Sequence, residues 1–370
     1  MHVAVCGGGS LAHAVVAVVG ARDDVQVRVL TRQPQRWSRE VRGIYLDIAE
    51  VRGRVAVASS DPQRVVAGAN VVLLCVPACA RERVLTDIAP FVDARAWIGC
   101  FPGFGGFDWQ ARGILGPQAR IFGLQRVPYV RKTISYGEAV WISGIRPRLV
   151  LGALPAADAP DVARLIENLM AIPTDPLPHY LPVTLSASNP IFHPARIHAA
   201  FAHLTDGATL QDRTLFYEEW DDAASETYLA LDDELQSICR AIPADMSAAQ
   251  SIRAHYGVDD AAALTHRIRS LRPLRDRYLP LLDTGSGYVP DTHSYYFTED
   301  IPFGLLVIKV VGQIAGIATP RTDAVLGWAQ RVMGQEYVVD GGATGRDAEG
   351  LPLPARYGIS NLRQLVAAAR

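Results

Sequence analysis

Two short stretches of this chain carry residue types that could do chemistry. The first, Gly7-Gly8-Gly9-Ser10-Leu11-Ala12, fits the pattern Gly-x-Gly-x-x-Ala. In that spacing Gly7 permits a tight turn, Gly9 lets a pyrophosphate approach the backbone, and Ala12 lets a helix pack closely on the preceding strand. Ser10 and Leu11 then open a helix whose unsatisfied N–H groups would face the phosphates. The second stretch, Asn189-Pro190-Ile191-Phe192-His193-Pro194, sets a titratable ring between two prolines. Histidine suits proton transfer near neutral pH, and stiff flanks suit fixed placement. A packed helical histidine with Asn189 as an N-cap and Pro190 at the first helical position would use the same residues.

The choice of nucleotide turns on the end of the second strand. Sites for NAD place an Asp or Glu there to hold the ribose hydroxyls. This strand ends in Leu30-Thr31-Arg32-Gln33-Pro34-Gln35-Arg36, without an acid. Thr31 offers a hydroxyl, and Arg32 and Arg36 would clamp a 2′-phosphate. The expectation is NADPH, with NAD less favoured. Val76-Pro77, after another strand, would lie beside the nicotinamide ribose. A second glycine-rich loop, CFPGFGGF over 100–107, also follows a strand.

These residues require particular elements around them. Strand signals at 2–6, 25–31, 55–58, 71–75, 96–100 and 120–124 alternate with helical or turn-rich segments. That alternation predicts an α/β Rossmann-type domain, a doubly wound parallel sheet covered on both faces. Extended runs on either side of Gly144, within 131–153, predict an antiparallel hairpin, and a helix near 159–171 closes the domain. Four prolines in 172–182 read as a linker. Beyond it, helical periodicity fills 195–204, 222–241, 247–254, 259–270, 302–318 and 321–333. The predicted division is a dinucleotide-binding domain over 1–178 and a mostly α-helical substrate domain over 179–370.

Composition narrows the partners. With 36 basic and 38 acidic residues the net charge is −2, which lacks the basic face a nucleic acid would need. Five cysteines without paired or zinc-type spacing fit a reducing cytoplasm and offer no metal site. The first apolar run is too short for an export signal, and the run 301–318 carries Lys309 and three glycines, so it reads as a buried helix and not a membrane span. A cytoplasmic enzyme, with a homodimer admissible, is the expectation.

Four motifs occur in order: the N-terminal Gly-x-Gly-x-x-Ala, Pro102-Gly103-Phe104-Gly105-Gly106, Asn189-Pro190-Ile191-Phe192-His193-Pro194, and Thr298-Glu299-Asp300-Ile301-Pro302-Phe303-Gly304. Together they resemble the octopine/nopaline (opine) dehydrogenase family over most of the chain. The segment GLQRVPYVRK (123–132) is similar to the bacterial branch that makes opine-type metallophores. The resemblance implies a catalytic histidine–aspartate pair at a domain cleft, carried onto His193 and Asp300. It also implies NADPH-dependent condensation of an α-keto acid with the amine of an amino acid, through an imine. Octopine-type members hold an arginine five residues before the aspartate, where this chain has Tyr295. Arg126 or Arg131 is the expected replacement for binding a substrate carboxylate, with Asn189 a further substrate contact.

Two other readings stay open at this point. A ketopantoate-type carbonyl reductase would need a lysine in the helical domain, and Lys309 is the one present. A non-catalytic NADP-binding sensor would use the glycine turn alone. His198, His203 and His293 have only their position in their favour. Asp300 could also simply cap the next helix.

Overall fold

The computed structural model describes residues 1–46, 49–204 and 208–370. The chain forms two compact units, residues 1–184 with 367–370 and residues 185–366. In chain order the first contains β1 (His2–Cys6), α1 (Ser10–Val19), β2 (Gln26–Leu30), β3 (Glu40–Tyr45), β4 (Glu50–Ser59), α2 (Pro62–Val66), β5 (Val71–Leu74) and α3 (Ala78–Ile88). There follow β6 (Trp97–Cys100), α4 (Phe107–Leu115), β7 (Arg120–Leu124), β8 (Tyr129–Ser135), β9 (Ala139–Ile145), β10 (Leu149–Leu154), α5 (Ala159–Met170), β11 (Thr174–Pro176) and α6 (Leu181–Thr184).

The sheet order is β11-β10-β7-β6-β5-β1-β2-β4-β3-β9-β8. Six neighbours, β7-β6-β5-β1-β2-β4, run parallel. The central β5 (VVLL) and β6 (WIGC) are apolar and wholly buried, as strands covered on both faces are, whereas β2 and β4 carry exposed polar residues. The chain order reverses between β1 and β5, and ligands of open sheets bind in the crevice at such a switch point. β7 and β8 lie eight strand positions apart, about 38 Å on a flat sheet. Five Cα steps join Leu124 to Tyr129, a reach of at most about 18 Å. The sheet therefore curls, and β3, β8 and β9 pack back against α1.

Two local expectations need correction. The hairpin exists as β8–β9, but its turn is Tyr136-Gly137-Glu138, and Gly144 lies inside β9. Gly137 has φ +78°, and a Cβ there would collide with the Arg36 carbonyl oxygen. The second extended run, Leu149–Leu154, pairs with β7 and β11 instead. The proline-rich segment 172–182 is no exposed linker. It adds β11 at the sheet edge, where Pro176 costs no ladder bond, and it buries Tyr180 and Leu181 completely. The chain terminus returns to this unit, with Tyr180 N–H donating to Ala369 O at 2.9 Å.

The second unit holds α7 (Asn189–Phe201), α8 (Asp222–Ala241), α9 (Ile252–Tyr256), α10 (Ala261–Arg269), a ribbon of β12 (Leu281–Asp283) and β13 (Tyr288–Pro290), α11 (Tyr295–Thr298), a π-helical turn (Ile301–Leu305), α12 (Leu306–Ile314), α13 (Pro320–Met333) and all but the last two residues of α14 (Leu362–Ala368). The expected helix over 302–318 is thus broken into a π turn and a shorter α-helix. Asp221 caps α8 by accepting from Ala224 N–H. Among the described residues no helix is long and apolar enough to cross a membrane.

Candidate active site

The glycine turn follows β1 and abuts β5. Gly7 has φ +140°, and a Cβ on it would strike the Cys75 carbonyl oxygen. Gly7 N–H donates to Leu30 O at 2.9 Å, which closes the turn on β2 as well. Gly9 holds the N-cap position of α1, with no side-chain cap and no acid in the first turn. A Cβ on Gly9 would meet nothing within 4 Å. The helix thus presents uncapped N–H groups, with open space before Gly9, and this fits a dinucleotide pyrophosphate. Ser10, Leu11 and Ala12 form the first turn of α1, where Leu11 and Ala12 are buried. Val76 is half-buried, and Pro77 is exposed at the head of α3, on the other side of the switch point.

The end of β2 is organised by a residue from the hairpin turn that sequence reasoning missed. Tyr136 Oη lies 3.0 Å from Thr31 Oγ1, and a Cβ on Gly8 would meet that same hydroxyl. The Thr31 hydroxyl is therefore engaged inside the protein. Arg36 stacks over the Tyr136 ring at 4.5 Å and donates to Gln33 Oε1 at 2.8 Å, so its guanidinium is held at the strand end. Arg32 is exposed beside it. His13, buried on α1, donates from Nδ1 to Gly9 O at 2.8 Å and accepts at Nε2 from Gly137 N–H at 2.6 Å. Burial pushes its pKa down, towards the neutral ring that this pair of bonds requires. His13 so ties the glycine turn to the hairpin.

The second glycine-rich loop is also fixed from within. Arg81, buried on α3, donates to Pro102 O at 3.0 Å and Phe104 O at 2.8 Å. Tyr180 Oη donates to Gly103 O at 3.1 Å. Arg126 follows the carboxyl end of β7, the edge on which the glycine turn lies, and is half-buried. Arg131, on β8, is near enough to Cys75 for its charge to act on that thiol.

In the second unit the histidine stretch is helical, a correction to the expected start near 195. Ser188 holds the N-cap position, and its carbonyl accepts from Ile191 and Phe192 N–H. Pro190 is tolerated because first-turn N–H groups have no helical partner; Pro194 removes one further ladder bond. Asn189 is the first helical residue, and His193 stands one turn later on the same face. His193 Nδ1 lies 2.7 Å from Asp300 Oδ2, and both side chains are buried. Asp300 does stand just before the π turn, but its side chain makes no cap bond. Burial drives the imidazole pKa down and the carboxyl pKa up, each towards its neutral form, while the charge of Glu299 acts in favour of the imidazolium. At 2.7 Å the two groups are directly hydrogen-bonded.

Aromatic rings surround the histidine of this pair. Tyr296 and Phe216 meet the His193 ring edge-on at 4.7 and 5.5 Å, and Phe192 stacks at 5.6 Å. Tyr295 is exposed, yet its ring centroid is 6.1 Å from that of His193. The other candidates are placed elsewhere. Lys309 is buried in α12 and donates to Asp323 Oδ2 at 3.0 Å, a structural ion pair. His198 packs edge-on against Trp328, and His203 and His293 are exposed.

Known proteins resemble this chain in sequence and in fold. Residues 176–333 match the family described as NAD/NADP octopine/nopaline dehydrogenase, alpha-helical domain. The chain is 31% identical over 394 residues to octopine dehydrogenase of Mizuhopecten yessoensis, covering 99% of this chain and 98% of that one. It superposes with a TM-score of 0.87, at 29% identity, on octopine dehydrogenase solved in complex with NADH and agmatine, over 100% of this chain and 98% of that chain. Yersinopine dehydrogenase with bound NADP+ shares the fold at TM-score 0.66 and 11% identity, over 100% of this chain and 97% of that one. With its glycine turn, its buried histidine–aspartate pair and this full-length similarity, the chain belongs to the octopine dehydrogenase family of nicotinamide-dependent oxidoreductases acting on CH–NH bonds.

Proposed function

We propose that this protein is an NADPH-dependent opine dehydrogenase that condenses an α-keto acid with the amine of an amino acid or an amino-acid-derived compound, among them the amine precursors of opine-type metallophores. The observation that carries the reading is the 2.7 Å contact between His193 Nδ1 and Asp300 Oδ2, which leaves Nε2 as the nitrogen that exchanges protons. With Nδ1–H donated to the carboxylate, the Nε2 lone pair takes the proton that the amine loses on attacking the keto carbon. The same nitrogen returns it to the oxygen, which gives the carbinolamine, and a second transfer of the same kind, from the amine nitrogen to the hydroxyl, releases water and yields the imine. Asp300 holds the tautomer and stabilises the imidazolium formed between the two transfers. Bound NADPH would supply the hydride that reduces the imine carbon. Gly7, Gly9, Ser10, Leu11 and Ala12 would hold its pyrophosphate, Val76 and Pro77 its nicotinamide ribose, and Arg32 and Arg36 its 2′-phosphate.

The absence of an acid from Thr31–Arg36, with Arg36 stacked on Tyr136, supports NADPH over NADH. Asn189 faces the substrate beside His193, Arg126 binds a substrate carboxylate, and Tyr295 replaces the family's arginine. The test is NADPH oxidation with a panel of keto acids and amines. Turnover that needs both partners supports the reading. Turnover with a keto acid alone would mark a carbonyl reductase, and none with any pair would leave a binding protein.

A further inference from the structure

The dyad accounts for one nitrogen of His193; the structure places a partner on the other. Tyr217 Oη lies 3.4 Å from His193 Nε2, and both residues are buried. This juxtaposition is built and not incidental. Arg196 stands three residues after His193 on α7 and is itself buried. Its guanidinium donates to Leu215 O at 3.4 Å, Phe216 O at 3.1 Å and Glu219 O at 2.8 Å, and to Asp221 Oδ2 at 3.2 Å. The helix that carries the histidine therefore grips the segment that carries the tyrosine. From the far side Phe216 N–H donates to Arg277 O at 2.6 Å, and the Phe216 ring stacks on Tyr296 at 4.8 Å.

We infer that Tyr217 is a positioning residue for the reaction: its hydroxyl donates to Nε2 of neutral His193, holds the lone pair in line, and keeps the ring from taking up a proton before substrate arrives. The inference rests on the catalytic role proposed for His193. Each neighbour of the ring has a part in this assignment. In the tautomer that the proposed reaction uses, Nδ1–H faces Asp300, and Nε2 of the neutral ring then accepts. Burial drives the Tyr217 pKa up, so the phenol keeps the proton it donates. Glu299 favours the imidazolium and Arg277 opposes it, while Tyr295 and Tyr296 line the ring on the α11 side. A substrate hydroxyl or amine displaces the Tyr217 hydroxyl by a short movement, because a contact of 3.4 Å is a weak hydrogen bond.

The test is Tyr217→Phe, which keeps the ring and its packing. In protein labelled with 15N-histidine, and with His193→Asn to assign the resonance, the Nε2 signal of Y217F at pH 7 should move towards that of a lone pair without a donor. Loss of a bond to the neutral form raises the ring's pKa, so the acid limb of kcat should move up by about half to one pH unit. The kcat itself should fall about tenfold, while KM for NADPH stays as in the wild type. An Nε2 resonance unchanged by the substitution, or an unchanged kcat, overturns the assignment. The resonance is read without substrates, so a wild type inactive with every keto acid and amine would count against the proposed reaction and leave the test of Tyr217 intact.

Discussion

Gly304 of the π turn meets Pro190 at the start of α7 so closely that a Cβ on the glycine would lie 2.9 Å from the proline Cβ. Asp300 stands four residues before that contact and His193 three residues after its partner, so the same two elements that meet at Gly304 and Pro190 carry the dyad. The π geometry serves the same end. Leu305 N–H reaches back to Asp300 O at 2.8 Å, and the Asp300 side chain is left for His193. Single π turns in helices are often found at functional sites.

Gly304→Ala should therefore separate the dyad without emptying the core. We expect kcat to fall roughly 10- to 100-fold while NADPH affinity is kept, since a displacement of about 1 Å at a reacting group costs on the order of 10²-fold. Steady-state kinetics with a fluorescence titration of NADPH would check this, and wild-type turnover in the variant would separate the contact from the chemistry.

His193→Ala and Asp300→Asn should each lower kcat by about 10²- to 10⁴-fold. Asparagine keeps the size of the carboxylate but cannot stabilise the imidazolium, so the second variant isolates charge from packing. Both should still bind NADPH, which is measured by the same titration. A His193→Ala protein turning over near the wild-type rate would show the ring to be packing alone.

Cofactor preference should depend on Arg32 and Arg36. Replacing both with alanine is expected to cost about 10- to 100-fold in kcat/KM for NADPH and little for NADH, because each arginine forms charge-assisted bonds with a 2′-phosphate. Equal use of NADH and NADPH by the wild type at matched concentrations would refute the preference.

Arg126→Ala should raise KM for one carboxylate substrate at least about tenfold and leave KM for NADPH near its wild-type value. Tyr295→Arg, which restores the family's residue, should tighten binding of an amino acid through its carboxylate. If keto-acid and amino-acid KM values are both unmoved in the alanine variant, Arg126 has no part in the site.

Asp108 makes a prediction about stability. It is fully buried in the first turn of α4, and burial pushes its pKa up to about 7 against the pull of its own and Trp109 N–H groups and the Thr184 hydroxyl. The folded state thus holds a proton that the unfolded chain releases near pH 4, and stability falls as pH rises from about 4 to about 7. Asp108→Asn carries no such charge. Its Tm relative to wild type should rise across that window, by an amount corresponding to a few kcal/mol at most. Parallel pH profiles for the two proteins would show Asp108 to be ionised in the fold without penalty.

The sequence by itself determined what local pattern can carry. The run His2–Cys6, the glycines after it and the apolar stretch to Val19 specify strand, turn and helix within one continuous segment, and α8 is legible end to end from its periodicity and its Asp221 cap. His193 and Asp300 could be paired from the sequence only through motifs shared with a family, because 107 residues separate them. Tertiary structure decided the rest. Tyr136 and Gly137 reach Thr31 and His13 across more than a hundred residues, and nothing local in a Tyr-Gly turn announces that partner. The prolines of 172–182 read as a linker because their signal is conformational, whereas the burial of Tyr180 depends on the sheet edge beside it. Tyr217 meets His193 because a buried arginine on α7 holds the distant 215–221 segment in place. Periodicity reports which face of an element is apolar; which faces meet is settled only when the whole chain competes for the same core.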